Sequence, residues 1–295
     1  MTHEHLSIAE FDDALRNLPR RKDFGAGSVR GTAARLTGEA NMDPIRNNWL
    51  LAAMDPESVG ALRPYLERTS LSRADTLFDI DMPLTRIWFP TSCVVSLIVQ
   101  MENGSSAQVA AIGREGAVGH DALFGTDRAL VRGTVQVPGG AYFIEKRKFL
   151  PLVERSAAMR AMVWRSLAVV YAEAMRSAAC YALHPARARL ARFLLTTQDR
   201  TGTASVSLTQ ELLAEMLGVQ RTTVTAAALG LTADGCISYR RGHIRICDRA
   251  GLERAACECY LATRQLFAPA AHGRPVSRHR HQGSEGNGFN GCSAH

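Results

Sequence analysis

Residues 208–225, LTQELLAEMLGVQRTTVT, constrain this chain more than any other stretch. A helix-turn-helix unit packs two helices at a steep angle across a tight turn, so several of its positions accept few residue types. With Gln210 as the first position, Ala214 falls where the helices approach most closely, and Gly218 falls in the turn, where positive φ is needed. Leu213, Leu217, Val219, Val224 and Ala227 take the inward positions, and no proline interrupts either helix. Thr209 is placed to cap the first helix, with Glu211 near its positive end. Ala214, Gly218, Val219 and Val224 are the expected core of the unit.

The next residues extend the pattern. After an Asp234–Gly235 turn, Ile237 and Tyr239 alternate with polar residues, as do Ile244 and Ile246 across Arg241–Gly242. That is a β-hairpin wing with Arg240, Arg241, His243 and Arg245 around its tip. From 184 to 265 there are eleven Arg and Lys against seven Asp and Glu, and no acidic residue lies between Met216 and Ala233. A basic surface beside a second helix of this kind suits duplex DNA. Arg221, opening that helix, can bond guanine O6 and N7 together. Gln220, Thr222, Thr223 and Thr225 can reach base edges, a thymine methyl or phosphates. Arg240, Arg241 and His243 are expected on the phosphates, which makes affinity salt-dependent.

The rest of the 295 residues leaves room for a second modest domain. Residues 1–44 mix charge, Gly and Thr without periodicity and read as a disordered leader. In residues 45–150, Leu50, Leu51, Met54, Leu62 and Leu66 lie around a Pro-Glu-Ser turn. The runs IWFP, CVVSLIV, AQVAAIG and TVQV follow, separated by turn residues. Strands so short and regularly spaced predict a small antiparallel barrel or roll. Residues 151–183 predict one long helix. Val163, Leu167, Val170, Ala174 and Tyr181 step along it by fours and threes, interrupted by Ser177, as in a two-stranded coiled coil. They are the expected dimerisation residues. His184–Pro185 breaks the helix and marks a hinge. A helix-turn-helix domain then spans 184–267, and a Gly-, His- and Arg-rich tail, 268–295, is expected to be disordered, with His279 and His281 able to bind a stray ion.

Composition excludes several classes. The seven cysteines are odd in number, scattered and without a CxxC pair, so reduced thiols are expected, with no disulfide framework and no metal site. The longest apolar stretch, residues 93–99, is far short of a membrane span. Arg20–Arg21 has no apolar region after it and is no export signal. A cytoplasmic protein without a membrane partner is expected. A metal enzyme built in the roll needs about three converging His or Glu ligands, yet residues 45–150 hold one histidine, His120. Ser92–Cys93 has no histidine nearby in sequence. No enzyme is expected.

The strings FPTSCVVSL, IGREGAVG, LTQELLAEMLGVQRTTVT and ACECY, in that order, resemble the Crp/Fnr superfamily of transcription regulators from about Ile45 to Tyr260. The resemblance implies an α+β fold: an N-terminal β-roll (double-stranded β-helix) sensor domain, a long dimerisation helix and a C-terminal winged helix-turn-helix. It implies a homodimer on a two-fold operator, with recognition helices about 34 Å apart. RNA polymerase is a further expected partner. The chain also departs from the pattern. Cyclic-nucleotide-binding members carry a Gly-Glu-Leu turn and, later, an Arg-Ser or Arg-Thr pair. Here Ala129 follows Arg128, and residues 116–122 read GAVGHDA, without that carboxylate. Cyclic-nucleotide binding is therefore not expected. Residues 1–92 hold no cysteine for an iron–sulfur cluster. No cofactor is predicted, with haem on His120 left open. Arg114, Glu115 and Arg128 are candidates for an anionic effector. The family's Arg-Glu-Thr-Val reads Arg221-Thr-Thr-Val here, so the arginine's role carries over and a glutamate–cytosine contact does not. The alternatives are an effector-independent DNA-binding scaffold and, more remotely, a β-barrel metal enzyme.

Overall fold

Short β-branched runs punctuated by Gly, Asn and Ser form antiparallel strands in the first half of the chain. The computed structural model describes residues 44–119 and 127–272. One sheet runs β1 (Glu67–Leu71), β7 (Gly139–Glu145), β3 (Arg86–Pro90); the other runs β2 (Thr76–Phe78), β6 (Arg132–Val137), β4 (Val94–Gln100), β5 (Ser106–Ile112). Every pairing between these strands is antiparallel. Alternation along a strand sends successive side chains to opposite faces. Trp88 therefore joins Val95, Leu97, Ile112 and Val135 inside the roll, while Ile87 and Phe89 pack outward on helices.

Those helices begin before the first strand. Asn48 caps α1 (Trp49–Ala52), and its buried amide donates to the carbonyls of Pro90 and Gly116. The expected Pro-Glu-Ser turn is instead the first turn of α2 (Pro56–Leu62). Asp55 caps it, and Pro56 takes a position whose N–H needs no partner. The long helix expected over 151–183 is two, α3 (Lys146–Arg155) and α4 (Ala157–Leu183). Ser156 between them is extended, and its hydroxyl caps α4 by accepting from the Met159 N–H. The break at His184–Pro185 falls where expected: α4 ends at Leu183, and α5 (Ala186–Thr201) follows.

The C-terminal region continues with β8 (Ser205–Ser207), α6 (Gln210–Leu217), α7 (Arg221–Ala233), β9 (Ile237–Arg240), β10 (His243–Ile246), α8 (Arg249–Ala255) and α9 (Cys259–His272). Its core gathers Leu190 and Leu194 of α5, Leu213 and Leu217, Val224 and Leu231, Ile237, Ile244 and Leu252. The wing has three strands, because β8 pairs with β10. Helix α9 runs to His272, into the tail expected from 268, and Pro44 of the expected leader 1–44 opens a short 3-10 helix (Pro44–Asn47); residues 1–43 and 273–295 lie outside the described residues.

Helix α4 carries two apolar stripes. Val163 and Leu167 pack in the core between α4 and the helix-facing side of the first sheet, and Val170 packs against the roll interior. Ser177 is buried and Ala174 half-buried. The Tyr181 hydroxyl donates toward the carbonyls of Gln108, at 2.6 Å, and Met216, at 2.9 Å. The stripe expected to pair two chains is thus the inner face of the helix, held by its own roll. The outer face carries Ala161, Trp164, Ala168, Tyr171, Met175, Ala178 and Ala182, again stepping by threes and fours, all exposed.

Candidate nucleic-acid interface

The first helix of the pair starts where Thr209 caps it: its hydroxyl accepts from the Leu212 N–H at 3.2 Å. That helix ends at Gly218, whose φ of 60° lies in the left-handed region that a side chain disfavours. The chain then turns into α7. Leu213, Ala214, Leu217, Val224 and Ala227 are all buried and Val219 half-buried, so the expected core positions face inward.

The outward positions are those assigned to DNA. Gln220, Arg221, Thr222 and Thr223 are exposed at the N-terminal end of α7, and Thr225 is half-buried beside them. Arg221 leans on Glu211 at 2.9 Å and on Gln210 at 3.3 Å. Thr225 donates to the same Gln210 carbonyl oxygen. Arg221 and Glu211 are both well exposed, so their ion pair is weak and a stronger acceptor can displace it. The helix N-terminus adds positive potential at the same place.

The wing lies alongside. Arg241 and Gly242 both have positive φ, 48° and 79°, as a two-residue hairpin turn of type I′ requires. This pairs Arg240 with His243 across the hairpin and leaves Arg240, Arg241, His243 and Arg245 exposed. The His243 ring meets the Ser207 hydroxyl of β8 at 2.8 Å. Tyr239 supports the wing from beneath, donating to the Leu208 carbonyl, and burial holds its phenol above the usual range. An open cleft lined by Thr209, Gln210, Glu211, Arg221, Tyr239 and Arg241 separates helix from wing.

Residues 188–255 match the family model of the Crp-like helix-turn-helix domain. The chain carries a Crp-like helix-turn-helix domain. No curated protein matches the chain by sequence, but solved structures resemble it over about two thirds of its length. FixK2 from Bradyrhizobium japonicum is 15% identical with a TM-score of 0.56, over 65% of this chain and 98% of its own. CLP from Xanthomonas campestris, a c-di-GMP-responsive global regulator, is 16% identical with a TM-score of 0.55, over 66% and 100%. A crp/fnr-family regulator from Eubacterium rectale is 17% identical with a TM-score of 0.56, over 70% and 96%. At these identities the shared property is the fold: a Crp/Fnr architecture of β-roll, long helix and winged helix-turn-helix.

The Crp-like domain is fastened to the roll by a polar network whose centre, Arg200 with Glu173, the sequence pattern does not reveal. Arg200 of α5 bonds Glu115 of the roll at 2.7 Å and Glu173 of α4 at 2.8 and 3.0 Å. All three are buried. Burial works against the charge on Arg200, but Glu173 and Glu115 outweigh it and hold the guanidinium above its usual range. Ser106 of β5 donates to Glu215 of α6 at 2.8 Å. Burial pushes the Tyr181 phenol up to about 12, keeping it a hydrogen-bond donor.

This network accounts for two of the three effector candidates. Glu115 is committed to Arg200. Arg114 stacks on Trp49 and donates to the Asp199 carbonyl. Arg128 is exposed elsewhere on the roll and paired with Asp81. The structure does not bring the three together, and His120 lies outside the described residues. It does bring together cysteines that look scattered in sequence: Cys180, Cys257 and Cys259 converge with His184.

Proposed function

We propose that the chain is a homodimeric regulator of transcription that reads a two-fold symmetric DNA site through α7 and grips the backbone with its wing. The observation that carries this reading is the alignment of an exposed, acid-free helix N-terminus with an exposed arginine-rich hairpin across an open cleft. Arg221 supplies the bidentate donor for guanine. Gln220, Thr222, Thr223 and Thr225 line the same edge, and Arg240, Arg241 and His243 take phosphates. Duplex DNA, a second copy of the chain and RNA polymerase are its partners, and the cytoplasm is its compartment. No catalytic residue and no cofactor enter the reading.

The second copy is argued from α4. Between Ala161 and Leu183 its only charged residues are Arg165, Glu173 and Arg176, and Glu173 is buried. The inner stripe is already packed on the roll. The outer stripe keeps the 3.5-residue period that lets two helices stay in contact along their length. Tyr171 and Met175 are 68% and 57% exposed in the single chain, an expensive arrangement for an apolar row. Pairing the outer stripes supplies the two-fold axis that a symmetric operator requires.

The test is selection of duplexes from a random pool by the purified chain, with and without a small-molecule cell extract. An inverted repeat with half-sites one helical turn apart, about 10 base pairs, is the expected result. No enriched sequence under either condition would overturn the reading.

A further inference from the structure

Two short spacings place soft donors side by side. Cys180 and His184 are four residues apart, one helical turn, at the C-terminal end of α4. Cys257 and Cys259 flank Glu258 where the link after α8 enters α9, Cys259 being its first residue. The fold closes these two pairs on each other. The sulfurs of Cys180 and Cys257 are 3.6 Å apart, the Cys259 sulfur is 3.6 Å from His184 Nδ1, and all four donor atoms lie within 4.8 Å of one another. The three cysteines are buried, and the His184 side chain is 19% exposed.

The two 3.6 Å spacings match those around a tetrahedral ion, and the other donors lie near enough to close on it. With sulfur at about 2.3 Å and nitrogen at about 2.0–2.1 Å from zinc, tetrahedral angles separate two sulfurs by about 3.8 Å and a sulfur from a nitrogen by about 3.6 Å. A disulfide needs about 2.05 Å, far shorter than the observed contact. The surroundings agree as well. His184 Nε2 lies 3.0 Å from Glu258 Oε1, so an Nε2–H donated to the carboxylate leaves the Nδ1 lone pair facing the thiols. This carboxylate–histidine arrangement orients imidazoles at metal sites. Arg192 lies close enough to act on Cys180, and its charge offsets the single negative charge of three thiolates, one imidazole and a divalent cation. The three thiols form a small cluster of their own, with Ala188 the one further apolar residue packed on it.

We propose that Cys180, His184, Cys257 and Cys259 bind one divalent ion of the zinc class in a closed Cys3His site. All four positions come from the protein, which leaves none for substrate or water and makes the site structural. On binding, three thiol protons leave to solvent as three metal–sulfur bonds and one metal–nitrogen bond form. The ion ties the C-terminal end of α4 to the segment after α8, across the His184–Pro185 break. It spans the joint between the long helix and the Crp-like domain.

The experiment uses the full chain without DNA, so its outcome does not depend on the DNA-binding reading. Metal content is measured after gel filtration, and the metal-free chain is then titrated with cobalt(II). One zinc ion per chain, and the intense bands of tetrahedral cobalt with sulfur-to-cobalt charge transfer, are expected. Cys259→Ser, which removes one of three thiolates, should weaken cobalt binding and lower the charge-transfer band, and Cys247→Ser, at an exposed thiol outside the cluster, should leave both unchanged. Because a ligand variant can fail to fold, Glu258→Gln is the second variant: its carboxylate is largely exposed. Against a chromophoric chelator it should bind about 10–100-fold more weakly. A folded chain giving only the weak spectrum of six-coordinate cobalt would overturn the proposal. So would a charge-transfer band and a metal affinity both unchanged by Cys259→Ser, which would place the ion elsewhere, as on His279 and His281.

Discussion

Arg221 illustrates how one side chain is both held and available. In the free chain it is shared between Glu211 and Gln210; guanine O6 and N7 would replace both with a bidentate acceptor. Arg221→Ala is expected to cost about 1–3 kcal/mol on the selected site and to relax base preference at one position of each half-site. Titration of matched and single-substituted duplexes reads this directly, and equal affinities for parent and variant would remove Arg221 from recognition. Arg241 is a different case. Its positive φ fixes it at the turn of the wing. Arg241→Ala should weaken binding to every sequence alike and lower the salt slope by about one; an unchanged slope would refute the phosphate role. His243, its neighbour on the same face, is steadied by Ser207 of a strand that the sequence reading did not include.

At the scale of elements, α4 makes the sharpest prediction, because its two stripes must do different things. Tyr171→Glu places a charge on the outer stripe and should yield monomers in sedimentation equilibrium, with little change in the chain's own stability. Leu167→Ala hollows the inner stripe and should cost roughly 2 kcal/mol in denaturant unfolding while leaving the chain dimeric. The reverse pattern would return the dimer seam to the inner stripe. The same helix shows where legibility in the sequence stops. A 3.5-residue period reveals an apolar face but does not say what covers it. Val163, Leu167 and Val170 form a plain aliphatic row and attract the eye, whereas the outer row interrupts Trp164, Tyr171 and Met175 with alanines. The helix-turn-helix was legible in detail because its rules are local: Thr209, Ala214 and Gly218 act within a few residues of themselves. Strand β1, reading ERTSL, is largely exposed and polar, and β7 opens on two glycines that look like a turn, so neither announced itself. The cysteine–histidine cluster was hidden for a further reason. Its halves are separated by 77 residues, and only the return of the chain after α8 joins them.

Across the whole molecule, one buried ion cluster joins roll, long helix and Crp-like domain. Arg200, Glu115 and Glu173 come one from each. Desolvating three charges is costly, and their mutual attraction compensates only while all three are present. Arg200→Met should therefore destabilise the chain by about 3–5 kcal/mol, since it leaves two carboxylates buried without their cation. Replacing the set together, Arg200→Met with Glu115→Gln and Glu173→Gln, should recover most of that loss, because the remaining groups no longer demand a counter-charge. Urea unfolding of the parent, the single variant and the triple variant separates the two effects. If the cluster joins the three parts into one cooperative unit, the single variant should also split the transition, with the helix-turn-helix unfolding apart from the roll. A single variant that unfolds in one step at the parent's midpoint would mean that the apolar contacts and the Tyr181 and Ser106 hydrogen bonds hold the parts together, and that the ion cluster is incidental to their union.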